Sequence, residues 1–176
     1  MSGSVRGAVR ADLNKIFHRD YQRVVGVAAR VLGSRDQAED VAQDVFLSFG
    51  RSSVPAGEAL GWLSVAAAHT ALNLLRSGRR RSTREETAAA ADAAALRSDI
   101  SDVAEAVVKL EERSRVRAAL ARLPRTQAVA LVLRHSGLSY AEVASALDLS
   151  PGSVGTTVRR AESALRKELS RHASSD

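Results

Sequence analysis

The sequence predicts an all-α fold, on three observations. Apolar residues recur at intervals of three and four along most of the chain. Alanine, leucine and valine dominate, and only 3 prolines interrupt them, a composition that favours helices. Helix-start signals precede two of the periodic runs, at Ser34 with Gln37 and at Ser139 with Glu142. A length of 176 residues allows one ordinary domain or two small ones. The pattern predicts two small helical domains joined by a flexible linker, the C-terminal one a helix-turn-helix.

Residues 1–8 are small and polar, and fraying is expected there. A first helix is predicted over 9–32, with Leu13, Ile16, Phe17, Val24, Val27, Ala28 and Val31 on its apolar stripe. Gly33 supplies the C-terminal cap. The second helix starts at the Ser34 capping box and runs to about Phe49, turning Ala38, Val41, Ala42, Val45, Phe46 and Phe49 inward. GRSSVPAG at 50–57 reads as a loop by its Gly, Ser and Pro content. A third helix is predicted over 58–76, through Leu60, Trp62, Leu63, Val65, Ala66 and Leu72.

The character then changes. RSGRRRSTR at 76–84 is a basic run, and 85–99 is alanine-rich. Such a segment has few large apolar groups to bury and is expected to be the linker. Periodicity returns near Asp102, with Val103, Val107, Leu110, Val116, Leu120 and Leu123 ahead of Pro124. A helix over 125–135 follows, carrying Val129, Leu131, Val132 and Leu133 and closed by Gly137. The expected organisation is a domain at 9–78, a linker at 79–104 and a second domain at 105–172.

Residues 138–169 carry the most specific local pattern. Ser139 and Glu142 form a capping box ahead of a short helix with Val143, Ala144 and Leu147 on one face. Asp148 and Leu149 break the pattern. Ser150 and Pro151 restart it, the serine as N-cap and the proline where no amide partner is needed. Val154, Val158, Ala161 and Leu165 line the inner stripe of the second helix, leaving Gly152, Ser153, Thr156, Arg159, Arg160 and Ser163 outward. A small, hydroxylated and basic outer face suits a major groove, where Arg and Ser/Thr donate to bases and phosphates.

Composition narrows the function further. The net charge of +6 favours an anionic partner, most simply nucleic acid. With 0 cysteines, no disulfide framework or thiolate metal site is possible. Residues 1–10 lack the apolar core of a signal peptide, and no run is long enough to span a bilayer, so a cytoplasmic location is expected. Aromatic residues make up 3%, too few for binding dominated by base stacking. His18, His69, His135 and His172 stand in no metal-ligand spacing, and neither a Gly-rich phosphate loop nor a nucleophile elbow occurs. No catalytic residue, metal or cofactor is expected, and the chain is not read as an enzyme.

The charges are segregated in the first domain. Asp36, Glu39, Asp40 and Asp44 lie on the second helix, whereas Arg76, Arg79, Arg80, Arg81 and Arg84 follow the third. One acidic helix and one basic end suggest two different partners. As a metal cluster the carboxylates are unconvincing: at this spacing on a water-facing helix they are far more often a docking or solubilising surface.

Taken in order, these motifs resemble the bacterial RNA polymerase sigma factors of the extracytoplasmic-function group, in the sigma-70 family. The resemblance covers nearly the whole chain. It rests on AEDVAQDVFL at 38–47, Trp62 with Leu63, ALNLLR at 71–76, AALARLP at 118–124, GLSYAEVA at 137–144 and SPGSV at 150–154.

The resemblance implies a promoter-specificity subunit. Asp36, Glu39, Asp40, Gln43 and Asp44 would dock on the beta-prime clamp of the polymerase core, whose beta flap is a second expected partner. Trp62, His69, Asn73, Arg76, Arg79 and Arg80 would bind the −10 element, where the family flips a base of the non-template strand into a pocket. Ser139, Ser153, Gly155, Thr156, Arg159 and Arg160 would address the −35 element in the major groove. An anti-sigma factor is a further implied partner. The chain departs from the family pattern at His69 and Asn73, where Asn and Asp are frequent. It departs again at Gly155 and Thr157, where basic residues are frequent. These changes bear on base preference, not on fold. Two other readings remain: a stand-alone helix-turn-helix regulator, and an adaptor that binds polymerase without reading DNA.

Overall fold

The computed structural model describes the backbone of residues 10–85 and 100–173 and the side chains of 10–78 and 105–171. The described residues form α1 (Leu13–Leu32), α2 (Arg35–Phe49), a 3₁₀ turn (Ala56–Glu58), α3 (Ala59–Glu85), α4 (Ile100–Arg122), α5 (Arg125–His135), α6 (Tyr140–Leu147) and α7 (Pro151–Ala173). No strand occurs among them.

The caps are local consequences of the sequence. Gly33 takes φ 70°, and its amide donates to the Ala29 carbonyl at 2.8 Å. That left-handed position is open to glycine without a Cβ penalty. One residue later the Ser34 hydroxyl accepts from the Gln37 amide at 3.4 Å and starts α2. The chain therefore turns sharply between α1 and α2, which pack on each other and on α3.

The N-terminal core forms where those stripes meet. Val24, Val27 and Val31 of α1 join Val41, Val45 and Phe49 of α2 and Leu63 and Leu72 of α3, all buried. Phe17, Tyr21 and Phe46 form an aromatic group, with the Phe17 and Tyr21 ring centres 4.5 Å apart and those of Phe17 and Phe46 5.0 Å apart. Asp20 is a charged group inside this domain, and Arg19 holds its carboxylate at 2.7 Å.

In the C-terminal domain α5 is the central rod. Every residue from 128 to 133 is buried, so no single stripe describes it. Helices α6 and α7 pack on this rod, and α4 packs mainly on α7. Leu120 and Leu123 of α4, Val143 of α6 and Val154 and Val158 of α7 are buried with it.

Besides the start of α1 at Leu13 and not at residue 9, three features depart from the sequence-based expectation. First, α3 continues past Arg76 to Glu85, and the backbone between 86 and 99 lies outside the described residues. Much of the expected linker at 79–104 falls there. Second, α4 is exposed over residues 105–116. Val107 and Leu110, read as part of a helical apolar pattern, are 46% and 60% exposed, their neighbour Val108 is 58% exposed, and burial begins only near Ala119. Third, the two helical domains pack together. Buried residues of α1 to α3 and of α4 to α7 form one continuous apolar cluster.

Candidate functional site

Three surfaces carry the candidate residues. The first is α2. With Ala38, Val41, Ala42 and Val45 buried, the helix turns Asp36, Asp40, Gln43 and Asp44 to solvent. Glu39 is half-buried and is held by Arg35 at 2.8 Å. The other carboxylates have no salt bridge with a described residue. Leu47, 60% exposed, ends the acidic face. Beside it a mainly apolar groove of about 450 Å³ opens between α1 and α2, walled by Leu13, Phe17, Phe46 and Leu47. A negative face next to an apolar slot suits a protein surface that offers cations around apolar side chains. The sequence reading named the charges but gave Leu47 no role of its own and did not find the slot.

The second surface is the flank of α3. Trp62 is half-buried against Phe49, their ring centres 5.7 Å apart. Asn73 is exposed and His69 and Arg76 are half-exposed. Residues 62, 69, 73 and 76 thus run along nearly one side of the helix. The backbone of α3 includes Arg79 and Arg80, whose side chains lie outside the described residues.

The C-terminal domain takes up several of these groups. Arg76 Nε donates to the Ala121 carbonyl at 3.0 Å and Arg76 Nη2 to the Leu123 carbonyl at 2.9 Å. These are carbonyls left free where α4 ends, so the guanidinium caps that helix from the other domain. Arg125 Nη1 meets His69 Nδ1 at 2.7 Å, and Arg125 Nη2 donates to Asn73 Oδ1. Arg125 is a donor only, so His69 Nδ1 accepts and must be unprotonated. Burial, and then the Arg125 and Arg76 charges, lower the His69 pKa below its ordinary value.

The third surface is the helix-turn-helix. The Ser139 hydroxyl accepts from the Glu142 amide at 3.2 Å, and a Glu142 carboxylate oxygen accepts from the Ser139 amide at 2.7 Å. Both halves of the expected capping box are present. Asp148 supplies the turn in the left-handed region, at φ 53°. At the start of α7 the Ser150 hydroxyl donates to the Ser153 hydroxyl at 3.0 Å, and Ser153 Oγ donates to the Ser150 carbonyl at 2.8 Å. Val154, Val158 and Ala161 are buried, which turns Gly152, Thr156, Arg159, Arg160 and Ser163 outward. Ser153 and Gly155 are half-exposed, and Ser139 is exposed at the start of α6. Thr157 donates to the Ser153 carbonyl at 2.9 Å.

Among the described residues no group of His, Asp or Glu is arranged to hold a metal, and no helix is long and apolar enough to cross a membrane.

Known proteins match on both halves. A family model for sigma-70 region 2 matches residues 16–81, and one for sigma-70 region 4 matches residues 113–165. The ECF RNA polymerase sigma factor SigK of Mycolicibacterium vanbaalenii is 33% identical over 152 residues, covering 84% of this chain and 76% of the relative. The chain belongs to the extracytoplasmic-function group of the sigma-70 family.

Other relatives agree. SigK of Mycobacterium sp. strain KMS is 30% identical over 149 residues, covering 82% of this chain and 76% of that one. The RNA polymerase sigma-H factor of Pseudomonas aeruginosa is 31% identical over 159 residues, covering 84% of this chain and 80% of the relative. Among solved structures, the sigma factor RpoE of Bartonella quintana, in complex with the anti-sigma factor NepR, superposes with a TM-score of 0.53 at 19% identity. That match covers 92% of this chain and 98% of the other, and shows the fold. The protein is thus a sigma factor that directs RNA polymerase to promoters and binds their DNA. The stand-alone regulator is not favoured, because the N-terminal half is itself sigma region 2.

Arg125 is the residue that sequence reading missed at this site. One signal was available. A cation in the first turn of a helix opposes the macrodipole, so a second reason for Arg125 beside Pro124 was worth seeking.

Proposed function

We propose a division of labour inside this sigma factor. The acidic face of α2 docks on the polymerase clamp through Asp36, Glu39, Asp40, Gln43 and Asp44. The flank of α3, with Trp62, His69, Asn73, Arg76, Arg79 and Arg80, binds the −10 element. The helix-turn-helix addresses the −35 element with Ser139, Ser153, Gly155, Thr156, Arg159 and Arg160. In residue terms, 9–78 is the polymerase and −10 domain, 79–104 the linker and 105–172 the −35 domain. The sigma factor works in the cytoplasm, performs no chemistry of its own and uses no cofactor.

One observation supports this reading above the others: charge is sorted by helix. The outward face of α2 is acidic and that of α7 is basic and hydroxylated. A negative surface is repelled by DNA phosphates and attracts a cationic protein; a basic one does the reverse. The exposed apolar stripe on α4 supports a further protein partner. Candidates are the polymerase beta flap and an anti-sigma factor of the kind bound to the Bartonella protein.

The test is reconstitution. Purified chain is mixed with core polymerase and the DNA upstream of its own gene. Co-elution with the core and transcripts starting at a defined site are expected. A chain that neither co-elutes nor directs initiation there would exclude the reading.

A further inference from the structure

A cleft of about 890 Å³ opens between α1 and α4, and none of its lining residues is assigned above to polymerase or promoter. That volume falls within the roughly 300–1,000 Å³ of small-molecule sites. Its charge is one-sided. Arg30 and Arg35 line it from the N-terminal domain and Lys109, Arg113 and Arg117 from α4, with Glu112 the one acid in the lining. Arg35 is paired with Glu39 at 2.8 Å and Lys109 with Glu105 at 2.6 Å. Arg30, Arg113 and Arg117 have no salt bridge with a described residue. Like charges gathered in a concave site repel one another and raise the potential felt there by an anion.

Two glycines shape the cleft. Gly26 stands inside α1, where glycine costs helix stability relative to alanine. A Cβ there would meet nothing within 4 Å, so close packing is not the reason for it. Its effect is to leave the cleft open beside Ala29. At Gly33 the reverse holds. A Cβ would lie 2.5 Å from Arg117 Nη1, so the bare backbone admits that guanidinium against the end of α1. Leu110 and Val116, 60% and 37% exposed, add an apolar face.

We propose that this cleft binds a nucleoside di- or triphosphate, with Arg30, Arg113 and Arg117 on the phosphates and the base against Ala29, Leu110 and Val116. Arginine forks match phosphate oxygens two at a time. The apolar face favours a base in addition to phosphates, because inorganic polyphosphate would leave that face in water. Glu112 fits the same division: a carboxylate repels phosphate but accepts from the amino group of a base. A bounded cleft of this size suits one small ligand more than a nucleic-acid strand.

Calorimetric titration of the intact chain tests the site, with GTP, ATP, guanosine, pyrophosphate and a single-stranded RNA as probes. GTP or ATP should bind once per chain, and about tenfold or more tightly than guanosine or pyrophosphate. R113A/R117A should weaken that binding by about tenfold or more. G26F should do the same by filling the cleft, whereas G26A, whose Cβ has room, should bind like the parent. R51A/R166A removes the same charge from exposed positions elsewhere and should also bind like the parent. Helical circular dichroism checks that each variant folds; if G26F loses helicity, the two arginine pairs decide. No saturable binding of either nucleotide would overturn the site. So would an equal loss in R113A/R117A and R51A/R166A, since net charge alone would then attract the anion. Pyrophosphate binding as tightly as the nucleotides would overturn the choice of ligand. So would RNA binding that is lost in R113A/R117A while nucleotide binding is kept.

Discussion

At the scale of single residues, His69 is the group whose chemistry depends most on where the two domains meet. Its Nδ1 accepts from Arg125 at 2.7 Å, and Arg76 is the other cation acting on it. Burial and those two charges favour the neutral ring and lower its pKa from an ordinary value near 6.5. The sign of the linkage follows. A pKa depressed in the closed form means that His69 contributes fully to closure above the ordinary value. The contribution is lost as the pH falls below it. The separated fraction should therefore be larger at pH 5.5 than at pH 7.5, measured by energy transfer between the domains. H69N should remove most of that difference. A pH response unchanged in H69N would rule out His69 as its origin.

At the scale of elements, caps decide where the short helices begin. The eight residues of α6 are too few to hold a helix in water without help. Glu142 provides some of it by accepting from the Ser139 amide, and that hydrogen bond lowers its pKa. E142A should destabilise the C-terminal domain by about 1 kcal/mol, seen as a lower melting temperature. E142Q, still able to close the box, should lose less. The contribution of the carboxylate is present above its ordinary pKa and disappears as acid protonates it. A melting temperature equal in E142A and the parent would contradict the role of the cap. On α7, R159A/R160A should weaken promoter use by on the order of 1–3 kcal/mol per lost contact. Core polymerase binding should remain. Footprinting of the holoenzyme on promoter DNA checks the first part, and gel filtration with the core checks the second.

Those elements were legible in the sequence because their causes are local. Gly33, Ser34, Ser139 and Glu142 mark helix ends by backbone chemistry, and valines and leucines spaced by three and four mark the buried sides. The exposed basic face of α7 and the acidic face of α2 followed from the same period, since whatever is not buried points outward. Other features depend on partners distant in sequence. Val107 and Leu110 have the spacing of a core stripe, yet periodicity reports that a face is apolar and not whether anything covers it. Arg125 lies far along the chain from His69 and Asn73, and no local rule links them. The continuation of α3 to Glu85 had a similar cause. The basic run after Arg76 reads as a change of character, but arginine is a good helix former.

At the scale of the whole molecule, two small domains behave as one body in the free chain because their buried surfaces join. Neither domain is large enough to be strongly stable by itself, so closure also protects apolar surface that the separated domains would expose. The acidic face of α2, with Leu47 and the apolar slot beside it, is exposed in the chain as it stands.

The central claim is that negative charge on α2 recruits the polymerase while DNA recognition is carried elsewhere. Gel filtration of core polymerase with D40K/D44K tests it most directly. The parent chain should co-elute with the core. The charge-reversed chain, with unchanged helical circular dichroism, should elute alone and direct no initiation. A D40K/D44K chain that co-elutes and initiates like the parent would contradict the account.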